Sequence, residues 1–192
     1  MNGCIEKMKA DYDSLEIIPL ESYHHLLRYL ILKKVKRGTI LKEPGKADTC
    51  SRYICEGKMG FYLSHDGIHR LESVFTVSDT VFDRYSYLDG SETDHLIKAL
   101  TTVTFFELSK IGEGLVIKNL PEFHFLANKV PNRINQRLAF LQLMKVKKLK
   151  SGYFDLISKF PDLHEFLTQS DIAGFFNVDV KTVNRFLNEE HP

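Results

Sequence analysis

No run in this 192-residue chain approaches the ~20 consecutive apolar residues that a membrane-spanning helix needs. The N-terminus, MNGCIEKMKADYD, carries acidic residues where a signal peptide needs an apolar stretch, so secretion is not expected. Cysteine is scarce: Cys4, Cys50 and Cys55 are an odd number with no CxxC pair. That count excludes a disulfide framework and a four-cysteine metal site, and it points to a reducing cytoplasmic compartment. Cys50 and Cys55 read as small apolar residues of a strand region. Gly-rich phosphate loops, nucleophile elbows, internal repeats and low-complexity tracts are all missing. An enzyme is therefore not expected.

What is present is a globular composition, 43% apolar and 27% charged, enough to bury a real core. The length allows one ordinary domain or two small ones. Net charge is only +1. Strong basicity would have favoured DNA, but weak basicity does not exclude it, because phosphate contacts need only a local patch. Residues 131–192 hold nine Lys/Arg against seven Asp/Glu, and the excess is concentrated in KVKKLK, Lys145 to Lys150. Such a run is ordinarily just a solvated face.

The pattern changes twice along the chain. Residues 14–32 read helical, with Leu20, Tyr23, Leu26, Leu27 and Leu30 at three- and four-residue spacing and Pro19 in the first turn. From 33 to 108 short β-type segments alternate with turns, and Asp66-Gly67 between two alternating runs is a strong hairpin signal. Short strands at roughly ten-residue spacing predict a β-sandwich or jelly-roll. From 111 onward the chain reads as helices, with Pro121 and Pro131 placed where helices start. NRINQRLAFLQLMKVKKL is the longest. Ile134, Leu138 and Leu141 form one stripe on it; Phe140, Leu143 and Met144 form another. A helix apolar on two faces needs two partners. One can be the β-domain and the other the same helix of a second subunit; the alternative is burial inside one monomer.

The last segment is LTQSDIAGFFNVDVKTVNRFLNEE. Thr168 can cap a helix with Asp171 three residues on, Gly174-Phe-Phe-Asn177 breaks it, and Asp179 can cap a second. Val183, Phe186 and Leu187 would face inward, leaving Val180, Lys181, Asn184 and Arg185 outward. Two short helices joined by a 3–4-residue turn are a helix-turn-helix, or else an αα-hairpin with no nucleic-acid role. In the first case the second helix reads base edges in a major groove.

DIAGFFNVDVKTVNRFL resembles the helix-turn-helix of the Crp/Fnr family of bacterial transcription regulators, whose pattern is of the type IAxxLGxSRETVSRxL. Its Thr-Val-x-Arg core stands here as Thr182, Val183, Asn184 and Arg185. Upstream, KRGTILKEPGKADTCSRYICEGKMGFY looks like the opening of that family's β-roll, and NLPEFHFLANKV with the following helix looks like its dimerisation region. The order covers nearly the whole chain. The resemblance implies an α+β protein: a cyclic-nucleotide-binding-like double-stranded β-helix with an N-terminal helix over 1–130, a dimerisation helix over 131–148, and a helix-turn-helix domain over 149–192. It implies a homodimer through Ile134, Leu138 and Leu141. It implies operator DNA with an inverted repeat, met by Val180, Lys181, Thr182, Asn184 and Arg185, with Lys147 and Lys148 on phosphates. RNA polymerase and an unidentified small-molecule effector are the further partners it implies.

Two stretches depart from the family pattern. Cyclic-nucleotide sensors carry Phe-Gly-Glu and, about ten residues later, Arg-Ser or Arg-Thr. Here Gly-Glu is replaced by Asp83-Arg84, and the Arg-Ser pair falls on Thr93-Asp94. A phosphate facing Asp94 without the arginine would lack its counter-charge, so no cyclic nucleotide is expected in this degenerate pocket. At the reading helix, Val180-Lys181 stand where the family often has Arg-Glu, so the target should differ. The alternative reading is a β-roll that binds a small molecule, or a cupin-like metalloprotein using His65, His69 and Glu72, without DNA. The spacing of those residues is wrong for a His-x-His pair, and a hairpin tip explains them as solvent-facing.

Overall fold

The computed structural model of the chain describes residues 2–190. It opens with two helices, α1 (Asn2–Tyr12) and α2 (Leu20–Leu26). Ile5, Met8 and Tyr12 of α1 recur at three- and four-residue steps and are buried. The helix expected over 14–32 is thus much shorter. Pro19 is the N-cap of α2 rather than part of its first turn. The apolar run beyond Leu26 is claimed instead by strand β1 (Ile31–Val35), which pairs antiparallel with β8 (Val103–Ser109). A cross-strand partner outweighs an ambiguous local period.

Between them lie β2 (Ile40–Lys42), β3 (Cys50–Glu56), β4 (Met59–His65), β5 (Ile68–Phe75), β6 (Thr80–Val81), α3 (Arg84–Asp89) and β7 (His95–Ala99). The strands make two four-stranded sheets, in the orders β1-β8-β3-β6 and β2-β7-β4-β5. All their pairings are antiparallel, as a jelly-roll requires. The β4–β5 hairpin turns at Asp66-Gly67, whose φ angles of 49° and 75° are those of a type I′ turn.

After β8 the chain is helical: α4 (Lys110–Asn119), a 3-10 turn (Pro121–Phe123), α5 (His124–Lys145), α6 (Leu149–Lys159), α7 (Leu163–Phe166), α8 (Gln169–Phe176) and α9 (Val180–Glu190). Pro121 does begin its turn. Pro131, placed by the sequence at a helix start, lies inside α5. It forfeits one backbone hydrogen bond. The helix continues because Leu126 and Ile134 on either side of it are buried. The long helix therefore begins at His124, and the 130/131 boundary falls within it.

Three apolar cores hold these layers. Between the sheets lie Ile54, Met59, Phe75, Val81, Ile97 and Phe105. On the outer face of the β1-β8-β3-β6 sheet, Tyr53, Cys55 and Phe106 meet Ile5, Tyr23, Val116 and Phe123 from the helices. On the outer face of the other sheet, Tyr62, Leu71 and Leu96 meet Tyr153, Leu156, Phe166, Ile172 and Phe175. The C-terminal helices are thus docked on the β-roll.

Two expectations are corrected here. Ile134, Leu138 and Leu141 do not form a free stripe. Ile134 and Leu138 join the core between the sheets, and Leu141 joins the C-terminal core. The large apolar residues that α5 leaves exposed are Phe125, Phe140 and Leu143. Second, Cys4 and Cys55 are bonded as a disulfide with Cα atoms 5.6 Å apart, leaving Cys50 free. An odd count excludes a framework but not a single bridge. The bridge forms because α1 packs on β3, a contact that local sequence does not reveal. The reducing compartment expected from the sequence would hold this pair as thiols.

The bridge closes a 51-residue separation. Cys4→Ser is expected to lower the unfolding free energy of the oxidised chain by roughly 4 kcal/mol, measured by urea denaturation. In the presence of reductant the two proteins should unfold at the same midpoint.

Candidate functional site

The C-terminal pair α8–α9 is built from strong local signals. Thr168 accepts from the Asp171 backbone N–H at 3.1 Å, and Asp171 accepts from the Thr168 N–H at 2.8 Å, a reciprocal capping box. Asn177, with φ 52°, ends α8 in the left-handed conformation. Asp179 accepts from the Thr182 N–H at 2.7 Å and from its hydroxyl at 3.1 Å, capping α9. The Thr182 N–H bond holds the Asp179 carboxyl below its ordinary pKa. The two helices are joined by three residues, 177–179.

The faces of α9 follow. Val183 and Phe186 are buried, with the Phe186 ring edge-on to Tyr153 at 5.0 Å. Val180, Lys181 and Arg185 are exposed. Thr182 and Asn184 are half-buried, which places them beside the outward face rather than on it. The Asn184 side-chain oxygen is buried with no hydrogen-bond partner among the described residues. Lys148 is exposed at the N-cap of α6. Lys147 forms an ion pair with Asp155 at 2.5 Å, with both side chains about half exposed. Such a surface pair contributes at most ~1 kcal/mol.

The docking of α8 needs a close approach. A Cβ on Gly174 would lie 3.0 Å from the Leu71 backbone nitrogen on β5, so a larger residue there would push the two backbones apart by a few tenths of an ångström. Tyr62 donates its hydroxyl to Asp171 at 3.0 Å, tying the capping box to β4. Burial pushes that hydroxyl's pKa well above its ordinary value.

The β-roll pocket is lined by Phe61, Phe75, Asp83, Arg84, His95, Leu138 and Gln142, among others, and encloses about 360 Å³. At its floor Asp83 is almost fully buried and meets Lys42 at 3.5 Å. The Lys42 ammonium also donates to the Thr93 carbonyl and hydroxyl and to the His95 carbonyl, at 2.7–2.9 Å. Asp83 accepts from the Thr93 hydroxyl and lies 3.1 Å from His95 Nδ1. Burial opposes its charge, but the His95 and Thr93 hydrogen bonds and the Lys42 charge prevail and hold it below the ordinary carboxylate pKa. Burial likewise pulls Lys42 below the ordinary lysine value. Asp48 accepts from the Asp83 N–H at 2.9 Å and from Arg52 at 3.1 Å, extending the network.

Of the four cassette residues, Asp83, Arg84 and Thr93 are brought together around this floor, with Arg84 reaching Asn135 of α5 at 2.9 Å. Asp94 is not. It is exposed, and its backbone carbonyl accepts from the Ser64 N–H. Asp94 sits at a bend just before β7 and is exposed, while Thr93 and His95 on either side of it both reach Asp83. Sequence reasoning missed Lys42 and His95. The signal for His95 was its place two residues after Thr93; Lys42 had none, because only the fold brings β2 to β7. Among the described residues no group of three His, Cys, Asp or Glu side chains is placed to hold a metal ion.

No protein-family model matches the chain, and no curated protein does. Solved structures do. The c-di-GMP-responsive global regulator CLP of Xanthomonas campestris superposes with a TM-score of 0.69 at 10% identity, over 90% of this chain and 91% of that one. A transcriptional regulator of the Crp/Fnr family from Eubacterium rectale gives 0.68 at 14%, over 90% and 83%. A CooA variant from Carboxydothermus hydrogenoformans gives 0.60 at 16%, over 86% and 78%. At such identities the likeness is one of fold: antiparallel sheets plus helices, in the arrangement of Crp/Fnr-type regulators. No helix among the described residues is long and apolar enough to cross a membrane.

Asp83→Asn removes the counter-charge of a buried lysine and should cost ~3–5 kcal/mol at neutral pH, read by chemical denaturation. Because the folded pKa of Asp83 is depressed, its contribution is present above the ordinary carboxylate pKa of about 4 and is lost as pH falls through the lower folded value. The stability gap between wild type and variant should therefore narrow only in that acidic range.

Proposed function

We propose that this chain is a homodimeric, sequence-specific DNA-binding transcription regulator of Crp/Fnr type that does not respond to cyclic nucleotides. The observation that carries the reading is α9: its buried side is fixed by Val183 and Phe186, and its exposed side presents Val180, Lys181 and Arg185 beyond a three-residue turn from α8. Two short helices across such a turn support the helix-turn-helix reading, with 149–192 as the proposed DNA-binding part. Arg185 can contact guanine O6 and N7 in a bidentate manner, Lys181 a base or phosphate, and Val180 a thymine methyl. Lys147 and Lys148 contact phosphates and set affinity rather than sequence. Thr182, bonded to the Asp179 cap, and Asn184 flank that exposed side from half-buried positions.

The dimer contact moves to the second stripe of α5. Phe140 is 47% exposed and Leu143 64%, and with Val146 they line an apolar groove toward α6. A second copy packed there about a two-fold axis would set half-sites of an inverted repeat about one helical turn apart. The stance on cyclic nucleotides rests on the pocket floor. A cyclic phosphate entering it would meet Asp83, whose counter-charge Lys42 is already spent, and β7 supplies no arginine.

On an operator selected from random DNA, Arg185→Ala should cost roughly 1–3 kcal/mol and flatten discrimination at one position per half-site. Lys148→Ala should weaken all DNA about equally and lower the salt slope by roughly one. Fluorescence anisotropy across a salt series reads both, and an Arg185→Ala protein with unchanged affinity and preference would overturn the assignment of α9.

Sedimentation of Leu143→Asp should give a folded monomer at micromolar concentration. Leu138→Asp should instead lose stability, because its neighbours belong to the chain's own core. A wild type that sediments as a monomer removes the dimer from the reading.

A further inference from the structure

A second pair of cavities lies outside the β-roll, between α1, α5 and the outer face of the β1-β8-β3-β6 sheet. One, of about 110 Å³, is walled by Met8, Leu26, Phe106, Val116, Phe123 and Leu126, with little polar surface. The other, of about 210 Å³, is lined by Ser78, Asp79, Arg133 and Arg137. Tyr12, Thr80 and Val130 line both, so the two chambers are neighbours. Their chemistry is unequal. Asp79 is occupied, ion-paired with Arg137 at 2.8 Å and accepting from the Thr76 N–H at 2.6 Å. Arg137 also donates to the Val74 carbonyl and leaves its Nε buried with no partner. Arg133 donates to the Asp11 carbonyl at 3.0 Å. Two guanidinium groups against one carboxylate leave the polar chamber with a net positive charge, while the one carboxylate lining the mainly apolar chamber, Glu113, accepts from the Tyr87 hydroxyl at 2.8 Å.

We propose that these chambers form one binding site for a small apolar carboxylate of about benzoate size, its ring or chain in the apolar chamber and its carboxylate at Arg133 and Arg137. A dry apolar cavity of ~150 Å³ accepts benzene, and the apolar chamber of 110 Å³ together with its 210 Å³ neighbour gives a ring and its carboxylate room across both. The charge suits it as well, because guanidinium groups pair with carboxylates through strong charge-assisted hydrogen bonds. Its charged lining, Asp79, Arg133 and Arg137, differs from that of the Asp83–His95 pocket, although Phe82 and Ile134 border both. The Cys4–Cys55 bridge fixes α1 as one of its walls. A ligand there would join α1 to α5, the helix that leads into residues 149–190. The inference stands apart from DNA binding and is tested without DNA.

The test is an NMR titration of the isotope-labelled full chain with benzoate, with benzene and benzylamine as the neutral and cationic comparisons. The expected result is saturable benzoate shifts at the Thr80, Val116 and Ala127 amides, with benzylamine at least tenfold weaker. Arg133→Gln should weaken benzoate by roughly tenfold or more, the scale of one charge-assisted hydrogen bond. Ala127→Phe, which puts a ring into the apolar chamber, should abolish the shifts. If Arg133→Gln fails to fold, the benzoate and benzylamine comparison on the wild type decides the matter. Equal affinity for the two, no saturable shift at millimolar benzoate, or shifts confined to Phe61, His95 and Leu138 would each overturn the proposal.

Discussion

Alternate residues of the same strands feed different cores, and the rest of the molecule depends on that. In β3, Ile54 points between the sheets while Tyr53 and Cys55 point outward; in β8, Phe105 and Phe106 divide in the same way. A strand apolar on both faces cannot leave either face in water, since each fully buried side chain of this size is worth ~1.5–3 kcal/mol. Helices must therefore cover both outer faces. The segments before and just after the β-roll, α1, α2, α4 and the start of α5, cover one. Helices α6 to α9 cover the other. The long helix crosses between the two coverings, with Leu126, Ile134 and Leu141 buried in three successive cores.

The two internal sites arise from the same layering. Between the sheets, β2 and β7 bring Lys42 to Asp83 and close a polar floor in the β-roll pocket, with one Asp83 oxygen left without a partner among the described residues. Removing two charges from water is costly, and here Thr93, His95 and their carbonyls provide the compensating hydrogen bonds. Such a floor is organised around its own ion pair rather than around a phosphate. Outside the sheet, the packing of α1 against α5 is imperfect, and the chambers beside Tyr12 are what that imperfect fit leaves.

The C-terminal helices are held by both local and distant forces. Their caps, Thr168 with Asp171 and Asp179 with Thr182, are local hydrogen bonds. Their position on the roll is not. It depends on Gly174 meeting β5, on Tyr62 reaching Asp171, and on Phe175 and Ile172 entering a core with Leu71. The face that α9 turns to solvent is therefore fixed by Val183 and Phe186, which that same core holds.

The sequence by itself determined whatever rests on near neighbours along the chain. The Asp66-Gly67 hairpin, the strand-rich middle, both C-terminal caps and the inward Val183 and Phe186 were legible because turn chemistry and side-chain period act over a few residues. The tertiary structure alone decided the rest. Residues 31–35 became a strand because β8 offers a ladder, α5 ran through Pro131 because its neighbours are buried, and Cys4 found Cys55 because α1 packs on β3. Ile134, Leu138 and Leu141 turned inward, and Asp94 outward, for a related reason. Periodicity says that a face is apolar or that two residues share one; only the packed partner says which way that face looks.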